Sequence, residues 1–219
     1  AVVNNTIQNG MAKDYASHQG WWKNFWSKSS IRIPDTLLEK QWYLEQYKFG
    51  AAARRGAPPI SLQAVWTADN GRIPPWKGDF HHDLNTQLSY WPGYTGNHLD
   101  LTASYTNWLW KVKAENERWT KQYFGVDGLN VPGVTTISGK AMGGWIQYSF
   151  SLSTAAWLAQ HFYWQWKYSM DEKFLTGRAA PYFNEVEKYL SGIQINDADK
   201  GITLPLSSSP EYHNNSIKA

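Results

Sequence analysis

Between Trp76 and Pro92 the sequence places Asp79, His81, His82, Asp83, Asn85 and Gln87 within nine residues, with Trp76 before them and Tyr90-Trp91 after. Carboxylates, amides and imidazoles offer directional hydrogen bonds, and aromatic faces offer an apolar platform. That combination suits a ligand with hydroxyls on its edge and C–H bonds on its face, as a sugar ring has. Trp66, Trp76 and Trp91 are the stacking candidates, although a Trp in a helical protein also serves as core. Asp83 and Asn85 are candidates for binding or activating a polar group, with a second reading as caps of the helix that follows. His81 and His82 are adjacent and point in different directions, so one is placed to donate to a sugar hydroxyl. No His-x-x-x-His spacing or cluster of further ligands accompanies them, so the reading assigns no metal and no cofactor. Gly139 to Gly144 lacks the spacing of a phosphate loop.

The elements that must position these residues read as helices. Lys13 to Ser27 brings Trp22, Phe25 and Trp26 together at three-to-four spacing, and the Trp21-Trp22 and Phe25-Trp26 cluster is assigned to packing. Thr36-Leu-Leu-Glu39 has the form of a capping box and opens a helix to about Arg54, stopped by Gly56-Ala-Pro-Pro59. Ile60 to Thr67 is expected to be extended. Residues 74–83 form a loop that delivers side chains to one place, and a helix from about Asn85 to Tyr94 follows, bent or ended near Pro92-Gly93. His98 to Tyr123 is the longest helical run, with Leu101, Tyr105, Trp108 and Val112 on one stripe. Gly125 to Gly144 is an irregular excursion long enough for a functional loop or lid. Ser153 to Tyr168 is helical through Ala155, Ala159, Phe162 and Trp166. Asp171 caps a short helix through Leu175, Pro181 opens another to Leu190, and residues 201–206 are extended. Successive helices without regular strands predict an all-α array of helix pairs.

Composition narrows the function class. Of 219 residues 14 are Trp, 13 Tyr and 8 Phe, more rings than a core of this size needs, which leaves several for a cleft. The net charge is +3, from 21 basic and 18 acidic residues, with no basic run beyond Arg54-Arg55, so a nucleic-acid partner is not expected. No window approaches the ~18 apolar residues of a membrane span. With no Cys, disulfides and thiol chemistry are excluded, which fits a bacterial protein in either compartment. Nothing in the composition sets the oligomeric state.

Several short elements together resemble one family. Leu62-Gln63-Ala64-Val65-Trp66, Pro75-Trp76 and the run from Asn85 to Pro92 are similar to motifs of the glycoside hydrolase family 95 catalytic domain. Ala156 to His161, Asp171 to Leu175 and Ser209-Pro210-Glu211 follow in the family's order, so the resemblance spans roughly residues 20 to 215. It implies an (α/α)6 barrel, a six-hairpin toroid of which residues 1–219 are the N-terminal part, with the remainder in a longer protein. It also implies an inverting exo-glycosidase that hydrolyses terminal α-L-fucosyl or α-L-galactosyl residues of oligosaccharides or polysaccharides. Glu211 corresponds to the general acid, which requires a raised pKa. The residue-level alternative is that Glu211 stands in the first turn of a helix, where it favours the dipole. Asn85 corresponds to the second Asn of the family's Asn-x-Asn pair, whose carbonyl orients the attacking water. Asp83 stands where the family has the first Asn, a departure that bears on sugar specificity. Trp66, Trp76, His81, His82 and Trp91 are expected to contact the sugar. The expected setting is secreted, periplasmic or cell-surface. Two other readings stand beside it, a non-catalytic carbohydrate-binding protein on the same scaffold and a structural helix array.

Overall fold

The computed structural model describes residues 2–64, 72, 76, 78–142 and 151–205. In chain order the helices are α1 (Val2–Asn9), α2 (Met11–Trp26), α3 (Thr36–Ala52), α4 (Asn85–Leu88), α5 (Trp91–Thr95), α6 (Leu99–Phe124), α7 (Thr154–Ser169), α8 (Glu172–Phe174) and α9 (Ala180–Gly192). Two small antiparallel ladders complete the described fold, β1 (Phe80–His81) with β2 (Val134–Thr135), and β3 (Ile195–Asp197) with β4 (Gly201–Thr203).

α6 is the axis of the core. Leu101, Tyr105, Leu109 and Val112 recur every three or four residues on one face and are buried together with Trp108, as the expected stripe requires. α7 packs against it. Its buried face includes Ala155, Leu158 and Phe162 with the polar Thr154, His161 and Gln165, and the last two each have a partner on a facing element. Thr102 of α6 donates to Gln165 Oε1 at 2.7 Å, and Gln165 Nε2 donates to Leu99 O at 3.2 Å, which pins the crossing of the two helices. α5 lies so close to α3 and α6 that a Cβ on Gly93 would come within 2.5 Å of the Phe49 ring and of the Thr102 methyl. The absent side chain at that position sets the thickness of the layer. Phe25 of α2 stacks on His98 with centroids 3.8 Å apart, and Trp22 stacks on Tyr47 of α3, so the aromatic cluster of α2 is packing material.

Several local expectations are corrected. The cap of α3 is Asp35, whose Oδ1 accepts from Leu37 N and Leu38 N, and Thr36 is the first helical residue. Glu39 accepts from Ile33 N at 2.8 Å, two residues before the cap, so the expected reciprocal bond to the cap N–H is replaced by one to the chain leading into the helix. Ser61 to Ala64 forms a turn instead of an extended run; Val65 to Thr67 lies outside the described residues. The expected helix over 85–94 is two short helices divided at Ser89 and Tyr90.

Of the irregular excursion expected over residues 125–144, residues 125–142 are described. Residues 128–135 are buried without interruption. Asn130 binds Ser151 O and Tyr189 Oη through Nδ2, and its Oδ1 accepts from Ala155 N at the start of α7. Gly128, at φ 106°, lies where a Cβ would meet Tyr189 N at 2.4 Å, so backbone packs directly on backbone. The segment is irregular because its polar groups are satisfied by side chains and neighbouring elements in place of its own ladder.

The helix expected to restart at Pro181 does not stop. Asp171 caps α8 as predicted, accepting from Lys173 N and Phe174 N, and the chain continues through a π-turn (Leu175–Ala179) into α9. Pro181 has no N–H for the carbonyl one turn earlier, and its ring crowds that carbonyl. The wider turn, with Ala180 N donating to Leu175 O, relieves both problems. Residues 201–206 were expected to be extended; Gly201–Thr203 is so, as the second strand of a hairpin whose turn is held by Asp197 Oδ1.

Candidate functional site

The described part of the Trp76–Trp91 stretch is anchored to its neighbours by backbone and side-chain hydrogen bonds. β1 pairs with β2 in the register Phe80 to Thr135 and His81 to Val134, and His82 N extends the pairing to Gly133 O at 2.7 Å. Leu62 N donates to Asp79 O at 3.0 Å, which ties residues 60–62 alongside. Tyr90 Oη accepts from Ile60 N at 2.8 Å and lies 3.2 Å from Ser104 Oγ. Ser104 Oγ already donates to Leu101 O, so in that pair the phenol is the donor.

Under the stretch runs a fully buried polar layer. His82 bonds Tyr105 Oη through Nδ1 and Thr135 Oγ1 through Nε2, each at 2.8 Å. Its ring is stacked near Trp108, with centroids 5.4 Å apart. Gln87 Nε2 donates to His82 O at 2.7 Å, so Gln87 Oε1 is the atom that faces His161 Nε2 at 3.1 Å. An amide oxygen only accepts, which places the proton of His161 on Nε2 and leaves Nδ1 to accept from Tyr94 Oη at 3.1 Å. Burial pushes both imidazoles down to about 3, and it pushes the Tyr94 and Tyr105 hydroxyls well above their ordinary range. The layer is therefore neutral throughout the physiological range and chemically inert.

Above it the character changes. Asp79 and His81 are buried beside one another with carboxylate and Nε2 3.1 Å apart, and the Trp76 ring meets His81 edge-on with centroids 5.7 Å apart. Trp76 is 43% exposed, Asp83 is half-buried and Asn85 is exposed. The N-cap of α4 falls on Leu84, so neither Asp83 nor Asn85 occupies that position and the capping reading is removed for both. Asn85 contributes its backbone carbonyl to Ser89 N and Ser89 Oγ, while its side chain projects from an exposed first turn.

Of the residues expected to meet a ligand, Trp76, His81, Asp83 and Asn85 thus belong to one short, anchored stretch. His82 does not fit the sugar-contact role, because both ring nitrogens are engaged inside the protein and the residue has no exposed surface. Trp91 is half-buried against Trp164 at 5.6 Å, and its indole N–H has no acceptor among the described residues. Trp66 and Glu211 lie outside the described residues. Among the described residues no group of three His, Asp or Glu could hold a metal ion, and no helix is long and apolar enough to cross a membrane. The sequence reading missed Gln87, Tyr94 and His161 as a unit. Its signal was present, since His161 and Gln165 interrupt an otherwise apolar helical face at spacing four.

Comparison with known proteins bears on the family and the fold. The chain is 24% identical over 179 residues to "Alpha-L-fucosidase 2" of Arabidopsis thaliana, covering 81% of this chain and 21% of that protein. It is 26% identical over 188 residues to "Probable alpha-fucosidase A" of Aspergillus niger, covering 76% and 22%. The chain therefore spans about a fifth of the length of the curated relatives it matches. A solved structure described as a kojibiose phosphorylase from the human microbiome superposes with a TM-score of 0.59 at 18% identity, covering 90% of this chain and 27% of the other. That likeness concerns the fold, and it identifies the helical array as part of an (α/α)6 barrel. The profile of the glycosyl hydrolase family 95 catalytic domain matches residues 17–218, and the chain belongs to that family.

Proposed function

We propose that the chain forms part of an inverting exo-glycosidase that removes terminal α-L-fucosyl or α-L-galactosyl residues from glycans. The observation that carries the reading is the division of the Trp76–Trp91 stretch. A part-exposed indole, the Asp79–His81 pair, a half-buried Asp83 and an exposed Asn85 stand beside a layer of buried hydrogen bonds. The family match and the names of the two relatives supply the substrate class.

In this reading Trp76 stacks on the apolar face of the sugar and His81, oriented by Asp79, addresses a hydroxyl. The Asn85 carbonyl holds the attacking water, and Asp83 binds the sugar or lends base character to that water. Glu211 protonates the leaving oxygen from the opposite face, which requires a site that keeps its carboxyl protonated. The remainder of the barrel lies in a longer protein, which acts as a secreted, periplasmic or surface enzyme.

The test is an NMR time course of an α-1,2-L-fucosylated oligosaccharide with the full-length gene product. Initial release of β-L-fucose is expected. Initial α-L-fucose would overturn inversion, and Glu211→Gln turning over as fast as the parent would overturn the acid assignment. Sugar binding without turnover, on both fucosides and L-galactosides, would leave a carbohydrate-binding protein on this scaffold.

A further inference from the structure

Gln87 closes a loop. Its Nε2 donates to the carbonyl of His82, five residues back, and the four residues enclosed, 83–86, include both Asp83 and Asn85. The same amide is held from the other side by His161 Nε2, and His161 is held by Tyr94 Oη, which lies 3.1 Å from Nδ1 and 3.2 Å from the His161 carbonyl. Every group in this chain is buried, and Gln87 meets an acceptor at Nε2 and a donor at Oε1, so the amide has a single orientation. The helix that starts at Asn85 is only four residues long and lacks a side-chain cap, and therefore has little rigidity of its own.

We propose that Gln87 and His161 are positioning residues for the water-orienting pair, setting the placement of Asp83 and Asn85 through a clasp on the His82 carbonyl. The inference rests on the glycosidase reading for its kinetic consequence and on geometry alone for its structural one. Because burial keeps His161 neutral, the donor on Nε2 persists over the working pH range.

The experiment uses the full-length enzyme with Gln87→Met, His161→Phe and His161→Gln, the last of which retains a donor at the Nε2 position. Three quantities are read, namely kcat and KM on a fucosylated oligosaccharide, amide hydrogen exchange over residues 83–86, and Tm. A displacement of about 1 Å at a reacting group costs on the order of 100-fold. Gln87→Met and His161→Phe should lower kcat roughly 30- to 100-fold with KM within about 3-fold, and should remove protection at 83–86. His161→Gln should restore most of kcat. A purely stabilising role predicts lower Tm with unchanged kcat per folded molecule in all three, and that result overturns the proposal. If Gln87→Met does not fold, the comparison of His161→Gln with the parent decides, because a fall in kcat as large as that expected for His161→Phe also overturns it. If the parent enzyme releases no sugar, the glycosidase reading fails separately. Exchange then remains the test, and unchanged protection at 83–86 in Gln87→Met overturns the clasp.

Discussion

The inward and outward residues of the Trp76–Trp91 stretch are sequence neighbours with opposite physical circumstances. His82, Thr86, Gln87 and Tyr90 have no exposed surface, and most of their polar atoms meet a defined partner. Trp76, Asp83 and Asn85 face outward to varying degrees and cap no helix. In a buried position an unmade hydrogen bond costs about 1–3 kcal/mol, so each inward residue is constrained by its partners. An exposed side chain such as that of Asn85 is less constrained, and its chemistry is available to a ligand. The same residue types therefore serve the fold in one orientation and a ligand in the other.

That contrast can be broken most forcefully at Asn85. Asn85→Ala should lower turnover by roughly 10²- to 10⁴-fold while moving the unfolding free energy by no more than about 0.5 kcal/mol. Steady-state kinetics and urea titration on one preparation check both halves. His82→Ala should do the reverse, losing about 3–4 kcal/mol of stability from the cavity and from the orphaned Tyr105 and Thr135 hydroxyls. A stable His82→Ala protein that no longer bound sugar would reverse the assignment of sides.

Acid should act on the inward face as well. His82 and His161 are pushed down to about 3 in the fold and titrate near 6.5 when unfolded, so between those values the unfolded chain binds more protons. Stability is then complete above pH ~6.5 and falls as the pH drops toward 3, by at most about 1.4 kcal/mol per unit for each imidazole. Burial likewise pushes His98 down, to about 4, so urea midpoints measured from pH 7 to 4.5 should show the slope of three imidazoles, and His161→Gln should reduce it by about a third. The smallest effect belongs to the rim. Trp76→Ala should raise KM about 5- to 10-fold, equivalent to ~1–1.5 kcal/mol of stacking, and leave the urea midpoint in place.

The helices were legible because their stripes are regular. Leu101, Tyr105, Trp108 and Val112 gave α6 nearly to its ends, and Asp171 gave the start of α8. The errors have local causes. Thr36 matches the Ser/Thr form of a capping box, but Asp35, one residue earlier, fills the cap with the same chemistry. Gly, Val and Thr over residues 125–144 show the irregularity but not the anchoring, because the side chain that organises the described part, Asn130, acts across long sequence distances. At the site, the rich composition of residues 76–91 was visible, but which side chains face inward was not. His82 and His81 are adjacent and chemically identical, and only the pairing of β1 with β2 and the positions of Tyr105 and Thr135 decide which of them is enclosed.

The π-turn at Leu175–Ala179 gives this part of the chain a tolerance in length. A turn closed by Ala180 N on Leu175 O accommodates one residue more than an α-helical path requires. Deleting one residue there, with Pro181 replaced by Ala, can be absorbed by converting the wide turn to an ordinary one. The inward set Tyr182, Val186 and Tyr189 then keeps its phase. The same deletion in α6 has no such slack and would turn every following side chain by about 100° out of its socket.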